Sequence, residues 1–168
     1  MIIQLSVEFR LCAEDDLPAL EWMGLYTLQR EIIRSAFEAQ QRGEALMLLA
    51  ISGGFPVGQV WLDFTRGGGV KRPLLWAMRV FPPLQGRGLG SGLMRRAEAL
   101  AASRGAEEIE LGVERDNEDA RRFYERFGYH SVGSSVNEVK FMFEGHPMQM
   151  TVDQQIMRKR LASLEQAY

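Results

Sequence analysis

The chain has 168 residues, of which 46% are hydrophobic and 25% charged, and its net charge is -2. A chain of this size and composition folds as a single globular domain, so we expect one domain over residues 1–168. The balanced charge argues against a nucleic-acid partner, which would bind a basic surface. The sequence has no apolar run near the ~20 residues that cross a bilayer and no secretory leader pattern. We therefore expect a cytoplasmic protein without a membrane partner.

The first forty residues predict one strand and two helices. Alternating apolar residues indicate a strand over 7–11, and acidic residues ahead of an apolar pattern indicate a helix over 14–23. A second helix is predicted over 27–43, where Gly43 ends it. Its predicted core face consists of Leu28, Ile32, Ile33, Ala36 and Phe37.

Strand patterns then replace helical ones. Two apolar runs, 45–51 and 57–64, joined by a glycine pair and a proline, predict a β-hairpin. The glycine-rich segment 66–73 is either a mobile lid or a turn, and we favour the turn. The next run, 74–81, is short, continuously apolar and bounded by prolines, which predicts a strand buried on both faces.

The second half predicts a strand-helix-strand unit followed by a helix and two strands. A helix follows the glycine loop 85–90 and ends near Gly105, with Leu93, Met94, Ala97, Leu100 and Ala101 on one side. The remaining predicted elements are a strand over 107–113, a helix over 117–128, a strand over 129–136, a loop over 144–148 and a last strand over 153–161.

The glycine loop 85–90 suits an anion. Alternating glycines let the backbone approach a ligand, and the free amides that begin a helix carry its positive end. A Walker loop is excluded because no Gly-Lys-Ser/Thr follows. A dinucleotide fingerprint lacks its third glycine, although Glu114, about 24 residues beyond Gly90, could serve the ribose.

Two longer patterns identify a resemblance. Residues 80–90, VFPPLQGRGLG, resemble the signature V-x-P-x-x-[QR]-x-x-G-x-[GA] of the GCN5-related N-acetyltransferases, and residues 117–129, NEDARRFYERFGY, resemble that family's second signature. The resemblance implies an α/β (α+β) fold: a mixed, mostly antiparallel sheet of about six to seven strands, flanked by helices and splayed between strands four and five. Those two strands would be 74–81 and 108–113.

The resemblance also implies the activity and its site. Such enzymes transfer an acetyl group from acetyl-coenzyme A directly to an amine. The pyrophosphate would lie on the amides of residues 87–91, the amide of Val80 would stabilise the oxyanion, and Tyr124 would donate to the leaving thiolate. The implied cofactor contacts are Met78, Val80, Gln85, Gly86, Arg87, Gly88, Leu89, Gly90, Ser91, Asn117, Ala120, Phe123 and Tyr124.

The general base departs from the family pattern. Many members carry a glutamate on the fourth strand, but residues 74–81 contain no carboxylate. Glu21, Asp63, Glu110 or a water molecule could remove the amine proton, and the sequence does not choose among them. The missing carboxylate motivates a second hypothesis, a noncatalytic acyl-coenzyme A sensor.

The acceptor and the assembly state stay open in the sequence. A primary amine of a small molecule or a peptide is expected, and Trp22, Tyr26 and Trp61 either line its pocket or belong to the core. A homodimer is possible. Cys12 is the one cysteine and His130 and His146 are the only histidines, so we expect no disulfide and no metal, with Cys12 buried.

Overall fold

A computed structural model describes residues 4–162. Residues 1–3 and 163–168 of the predicted single domain lie outside the described residues. Seven strands form one sheet in the order β1-β2-β3-β4-β5-β7-β6. The strands are β1 Glu8–Leu11, β2 Ala45–Ser52, β3 Phe55–Asp63, β4 Leu74–Val80, β5 Glu108–Glu114, β6 His130–Phe143 and β7 His146–Arg160, and the helices are α1 Arg30–Gln41, α2 Leu89–Ser103 and α3 Glu118–Arg126.

The sheet is mixed and mostly antiparallel, which confirms the predicted fold class. β4 and β5 form the parallel pair, joined in register at Leu74 and Glu110. Beyond that point residues 74–78 of β4 and 111–114 of β5 face a common cavity instead of each other. The predicted splay between the fourth and fifth strands is therefore confirmed.

Helices cover both faces of the sheet. One buried cluster contains Leu93 and Met94 of α2 with Leu46 and Leu48 of β2, and a second contains Phe37 of α1 with alternate residues of the same strand. Because successive side chains of a strand point to opposite faces, a strand covered on both sides reads as one apolar run. This accounts for the continuous apolar run of β2.

The first predicted helix, 14–23, is wrong. The segment forms two short 3-10 turns, Glu14–Asp16 and Ala19–Glu21, with Pro18 between them. Trp22 and Met23 then have φ values of 45° and 56°, which end any helical path. The left-handed backbone accompanies an indole that is only 2% exposed, so core packing overrides the helical pattern.

The predicted core face of the second helix is partly wrong. Ile33, Ala36 and Phe37 are buried, but Ile32 is 49% exposed and Leu28, in a 3-10 turn before α1, is 66% exposed. Helix α1 begins only at Arg30, so residue 28 does not share its helical face. At the other end Gly43 has a φ of 76° and follows the last turn, as predicted.

The connections agree with their predicted types. Gly53 and Gly54, with φ values of 57° and 77°, form the two-residue turn between β2 and β3. The segment 66–73 is a turn closed by a hydrogen bond from the Gly68 amide to the Arg72 carbonyl at 2.8 Å. Cys12 is buried, as predicted, and burial raises the pKa of its thiol to about 12.

Two strand predictions need correction. β4 was expected to be buried on both faces, yet only Leu75 is buried and the other residues are half-exposed, because the splay removes its neighbour along most of its length. The last two strands are longer than predicted. A two-residue turn at Glu144 and Gly145 replaces the loop over 144–148, and β6 and β7 continue on either side of it. None of the helices in residues 4–162 is long and apolar enough to span a membrane.

Candidate functional site

A cavity of about 630 Å³ opens where β4 ends and α2 begins. A volume of this size is ordinary for a small-molecule site. Every predicted cofactor contact except Arg87 lines it: Met78, Val80, Gln85, Gly86, Gly88, Leu89, Gly90, Ser91, Asn117, Ala120, Phe123 and Tyr124.

The glycine loop presents backbone to this cavity. Gly86 and Gly88 have φ values of 71° and 86°, a conformation that costs other residues strain. Gly88 precedes α2 and no side chain caps the helix, so the first amides of α2 are free for a ligand. At Gly90 a Cβ would lie 3.3 Å from both Met78 and Phe123. The absence of side chains thus keeps the cavity wall open.

The β4 backbone bulges at Ala77, beside this cavity. Ala77 has a φ of 53°, and the pairing of β3 with β4 shifts register at this point. The side chain of Gln59, which is 3% exposed, donates to the Ala77 carbonyl at 3.0 Å and accepts from Arg79 at 3.1 Å. One buried amide therefore fixes the bulge on both sides.

Arg79 is itself held by aromatic rings. Its guanidinium carbon lies 4.4 Å from the centroid of the Trp22 ring and 3.7 Å from that of Tyr26, and Arg79 also donates to the Leu20 carbonyl. Burial lowers the pKa of Arg79 from its ordinary value, which still leaves it charged at neutral pH. Arg79 tethers the segment 19–26 to β4.

The backbone of Val80 points into the splay. The Phe81 amide donates to the Val57 carbonyl at 2.8 Å, on the β3 side. Because successive amides of an extended strand point to opposite edges, the Val80 amide points away from β3, toward the gap. The Val80 carbonyl accepts from Gln85 at 3.1 Å. Gln85 therefore links the end of β4 to the start of the glycine loop, and the Val80 amide is placed for a ligand.

Tyr124 lies on α3 at the junction of two cavities. It lines the first cavity and also a second one of about 420 Å³ between β4 and β5. The ring is packed against Phe123 and Tyr129, with centroids 5.3 and 6.0 Å away. Burial raises the pKa of Tyr124 to about 12, so the phenol keeps its proton at neutral pH. A neutral phenol in this place is a hydrogen-bond donor.

The start of α3 lies between the same two cavities. The Asn117 side chain accepts from the Ala120 amide at 3.1 Å and caps the helix, while Asn117 and Ala120 line both cavities. Asn117 can therefore cap α3 and still contact a ligand in either cavity. Met78, Asn117, Ala120 and Tyr124 line both cavities, so the two cavities adjoin at the gap between β4 and β5.

None of the three carboxylates that could act as the base, Glu21, Asp63 and Glu110, lines either of these two cavities. Glu21 is paired with Arg30 at 2.8 and 3.0 Å, and this hydrogen bonding lowers the pKa of Glu21. Glu110 is paired with Arg158 at 2.8 Å. Asp63 accepts from the amide and hydroxyl of Thr65 and lines a separate groove beside α1.

Two residues that shape the site, Glu114 and Gln59, are not predicted from the sequence. Glu114, at the end of β5, lines the second cavity together with Tyr124. Its position at the carboxyl end of the strand beside the splay could have indicated a role in this site. The sequence pattern suggested only a contact of Glu114 with the ribose of a dinucleotide. Gln59 gave a weaker signal: it is a polar residue inside an otherwise apolar strand. Of the aromatic residues left open, Trp22 and Trp61 are buried in the core, and Tyr26 is half-buried against Arg79.

Within residues 4–162 no group of three or more His, Cys, Asp or Glu side chains is arranged to hold a metal ion.

Residues 12–129 match the family model described as the acetyltransferase (GNAT) family. This match spans both signature segments and most of the chain. The chain belongs to the GNAT family. It is an acetyltransferase, and acetyl-coenzyme A is the acyl donor of this family. The dinucleotide-binding interpretation is wrong.

Solved GNAT structures have the same fold. An N-acetyltransferase from Staphylococcus aureus superposes with a TM-score of 0.73 at 18% identity, over 94% of this chain and 99% of that one. YncA from Salmonella typhimurium, solved with its cofactor acetyl-CoA, gives 0.72 at 18% identity, over 94% and 95%. Ard1 from Thermoplasma volcanium gives 0.73 at 16% identity, over 94% and 99%. At these identities the likeness concerns the fold.

A curated relative matches over a shorter segment. The mycothiol acetyltransferase of Beutenbergia cavernae is 41% identical over 58 residues, which are 34% of this chain and 20% of that enzyme. This chain thus spans about a fifth of the length of the relative.

The described residues of this GNAT chain fit acetyl-coenzyme A. Free amides at the start of α2 suit a pyrophosphate. The open edge of β4 beyond Leu74, on the side that lacks a strand partner, suits an extended arm with amide groups. The glycines that line the cavity leave room for both groups, since a Cβ at Gly86 or Gly88 would meet no atom within 4 Å.

Proposed function

We propose that this acetyltransferase moves the acetyl group of acetyl-coenzyme A directly to a primary amine of a small molecule or a peptide. The observation that carries the proposal is the pair of cavities that adjoin at the splay. Two cavities, one beside the glycine loop and one between β4 and β5, meet at Tyr124. A donor and an acceptor bound in them would meet at the splay without a covalent enzyme intermediate.

The donor would occupy the cavity beside the glycine loop. The amides of residues 87–91 would bind the pyrophosphate, with Arg87 adding positive charge from the loop. The pantetheine arm would pair with the β4 backbone at Met78 and Val80, in the place of a missing strand. Gln85, Asn117, Ala120 and Phe123 would bound the arm, because they line the same cavity.

The reaction needs an oxyanion donor and a stabilised leaving group. As the amine nitrogen bonds to the acetyl carbon, the carbonyl oxygen gains negative charge, which the Val80 amide would stabilise. The C–S bond then breaks and the thiolate leaves with the electron pair. Tyr124 would donate a hydrogen bond to that thiolate, because its pKa of about 12 keeps the phenol protonated.

The amine must lose a proton before or during the attack, because alkyl amines are protonated at neutral pH. We propose that Glu114 accepts this proton, directly or through a water molecule. Glu114 is exposed and lines the acceptor-side cavity, whereas Glu21 and Glu110 are held in ion pairs. An exposed carboxylate can pass the proton to solvent.

The acceptor-side cavity suits an amine that carries an apolar or planar group. Trp76 of β4 lines it, and Arg66 lies 5.4 Å from the Trp76 ring centroid. Gln154 and Glu114 add polar groups at its other wall. Because one relative is named for mycothiol, amines related to mycothiol belong in any acceptor survey, beside peptides and amino acids. The expected cytoplasmic location stays a prediction.

The test couples binding to turnover. Titration calorimetry measures acetyl-coenzyme A binding, with NAD as the control ligand, and a free-thiol assay then follows a panel of amines. We expect acetyl-coenzyme A to bind, NAD not to bind, and at least one amine to release thiol. Binding without release from any amine would favour the acyl-coenzyme A sensor. Absence of binding would contradict the proposal.

A further inference from the structure

The last two strands extend beyond the body of the sheet. β7 pairs with β5 only over residues 154–160, whereas its pairing with β6 continues from there to the turn. Residues 136–153 therefore form a two-stranded ribbon, which we call the arm. The side chains of the arm are mostly exposed. A two-stranded ribbon contributes little stability by itself in water, so pairing with a further strand would stabilise the arm.

β6 is an edge strand, and of the features that usually protect an edge its arm segment has charged side chains, Glu138 and Lys140, but none of the others. It is the last strand of the sheet, and the register with β7 is unbroken from Gly133 to Phe143. Proteins blunt such edges with prolines, bulges or short strands. The β6 segment of the arm has no proline and no bulge, and β6 has 14 residues. Its unpaired amides and carbonyls form a template for another strand.

The hairpin turn between β6 and β7 determines which residues of β6 direct their backbone amides and carbonyls toward the open edge. Phe143 and His146 flank a two-residue turn and face each other, so they exchange backbone hydrogen bonds. Hydrogen-bonding direction alternates along the strand. The backbone groups of Glu138, Lys140 and Met142 therefore point away from β7, toward the open edge.

We propose that two copies of this chain dimerise by antiparallel pairing of their β6 edges, centred on Val139. In this register Glu138 lies opposite the partner's Lys140, and Lys140 opposite the partner's Glu138. Within the arm the same two residues face only the neutral Thr151 and Gln149. Dimerisation is independent of the acetyl-transfer mechanism, and it joins two arms into one four-stranded ribbon.

The charges select this register. Pairing centred on residue 138 would place two Glu138 side chains opposite each other, and pairing centred on residue 140 would do the same with two Lys140 side chains. Opposite charges across antiparallel strands stabilise and like charges destabilise. Both alternatives are therefore disfavoured, and by symmetry the favoured register gains its ion pair twice.

Apolar side chains fit the same register. Val136, 65% exposed, would lie opposite the partner's Met142, which is 61% exposed in the single chain. Val139, 44% exposed, would lie beside the partner's Val139. On the same face the ribbon carries Phe141 and Met150, 39% and 48% exposed. Val136 and Met142 lie on the face of Glu138 and Lys140, whereas Val139, Phe141 and Met150 of both copies would form one apolar strip across the two-fold axis on the opposite face.

Charge reversal tests the register. Sedimentation equilibrium of the full chain measures the dimer dissociation constant for the wild type, Glu138→Lys, Lys140→Glu and the double swap. We expect a dimeric wild type, about tenfold or more weaker association for each single reversal, and restored association for the swap. A monomeric wild type, single reversals without effect, or a swap no better than the singles would overturn the proposal.

A cysteine probe tests the two-fold centre separately. In the proposed register the two Val139 residues form a non-hydrogen-bonded pair, with Cα atoms about 4.5 Å apart, within disulfide range. Val139→Cys should form a covalent dimer under mild oxidation. Phe143→Cys should not, because the two residues would be about 26 Å apart along the strands. Cys12 stays in place, since its thiol is buried. Equal crosslinking of both variants, or crosslinking of Phe143→Cys alone, would contradict the register.

Discussion

β3 and β4 are neighbouring strands with similar sequences and different surroundings. Both read as continuous apolar runs, yet seven of nine residues of β3 are buried and only one of seven in β4. β3 pairs with β2 along its length and with β4 from Gly58 to Asp63. β4 has β3 on one side and a gap on the other.

The difference shows that apolarity does not by itself indicate core. The half-exposed part of β4 carries the bulge at Ala77 and the outward amide of Val80, which are the features expected of a ligand-binding edge. In β3 the one buried polar side chain, Gln59, serves to hold that bulge. The core strand thus supports the shape of its functional neighbour.

The largest effect is expected from Tyr124→Phe, which removes the donor at the gap and leaves β3 and β4 unchanged. We expect kcat to fall by about 10²–10⁴, the usual contribution of a positioned acid, with little change in acetyl-coenzyme A affinity. Steady-state kinetics and calorimetry measure the two quantities.

Tyr129→Phe is the matched control for this prediction. Tyr129 is also buried, but it donates to Glu98 at 3.1 Å, away from the gap. Its loss should lower stability by about 1 kcal/mol and leave kcat unchanged. Equal effects of both variants on kcat would assign Tyr124 to packing.

The second-largest effect is expected at Glu114, which we propose to accept the proton of the amine. Glu114→Gln should lower kcat/KM by about 10² at neutral pH, the low end for a general base, because water can replace an exposed carboxylate. With wild-type protein kcat/KM should rise from about pH 6 to about pH 10 as the amine loses its proton. Tyr124 should not cause a fall in that range, because its pKa is about 12 and the phenol stays protonated below it.

Glu108→Gln controls for charge on the same strand. Glu108 lies six positions before Glu114 on the same face of β5, is half-buried, and forms a long pair with the exposed Arg160 at 3.7 Å. Its removal should leave kcat/KM and the pH profile unchanged. A pH profile that is identical for Glu114→Gln and the wild type, with no loss of rate, would remove Glu114 from the mechanism.

The third effect is expected at Gln59, whose side chain joins β3 to the bulge of β4. Gln59→Leu leaves the Ala77 carbonyl and one Arg79 donor without their partner, which should cost about 1–3 kcal/mol of unfolding free energy. The bulge should loosen, so kcat should fall while KM for acetyl-coenzyme A changes little. Denaturant unfolding and steady-state kinetics measure both.

Val60→Ala separates stability from positioning. Val60 is fully buried at the adjacent position of β3, and truncation removes packing while both hydrogen bonds of the Gln59 side chain stay in place. It should destabilise by an amount similar to Gln59→Leu and leave kcat unchanged. If both variants lower kcat equally, the effect of Gln59→Leu comes from lost stability of the whole domain and not from a displaced bulge.

The smallest effect is expected from Gly88→Ala. A Cβ at Gly88 meets no atom within 4 Å, so the cost comes from its φ of 86° and amounts to about 1 kcal/mol. Acetyl-coenzyme A affinity should fall as the loop shifts. Gly133→Ala, which also meets no atom within 4 Å and lacks a positive φ, is the control and should leave affinity unchanged. Calorimetry that finds equal affinity for Gly88→Ala and the wild type would contradict the role of this loop.

Much of the fold was predictable from the sequence. Helical and strand periods, the glycine turns and the two signature segments indicated the mixed sheet and its splay. The segment 14–23 was mispredicted because packing of Trp22 selects a left-handed backbone that no local pattern reveals. The length of the arm was missed because its exposed residues alternate weakly, and their pairing depends on the hairpin as a whole.

The candidate site was predictable where backbone or motif determines it. The glycine loop and Tyr124 follow from local sequence, and both reach the cavity. Glu114 and Gln59 matter only because β4 and β5 separate and because β3 lies beside the bulge. Contacts between segments that are distant in the sequence produce no regular spacing of residues, so they cannot be predicted from the sequence pattern.

The most direct measurement is a crystal structure of the protein with acetyl-coenzyme A. The proposed mechanism predicts that the pyrophosphate lies against the amides of residues 87–91 and that the thioester oxygen lies about 3 Å from the Val80 amide. It also predicts that the sulfur lies within hydrogen-bond reach of the Tyr124 hydroxyl. A donor bound with its thioester outside the gap between β4 and β5, or with Tyr124 away from the sulfur, would contradict it.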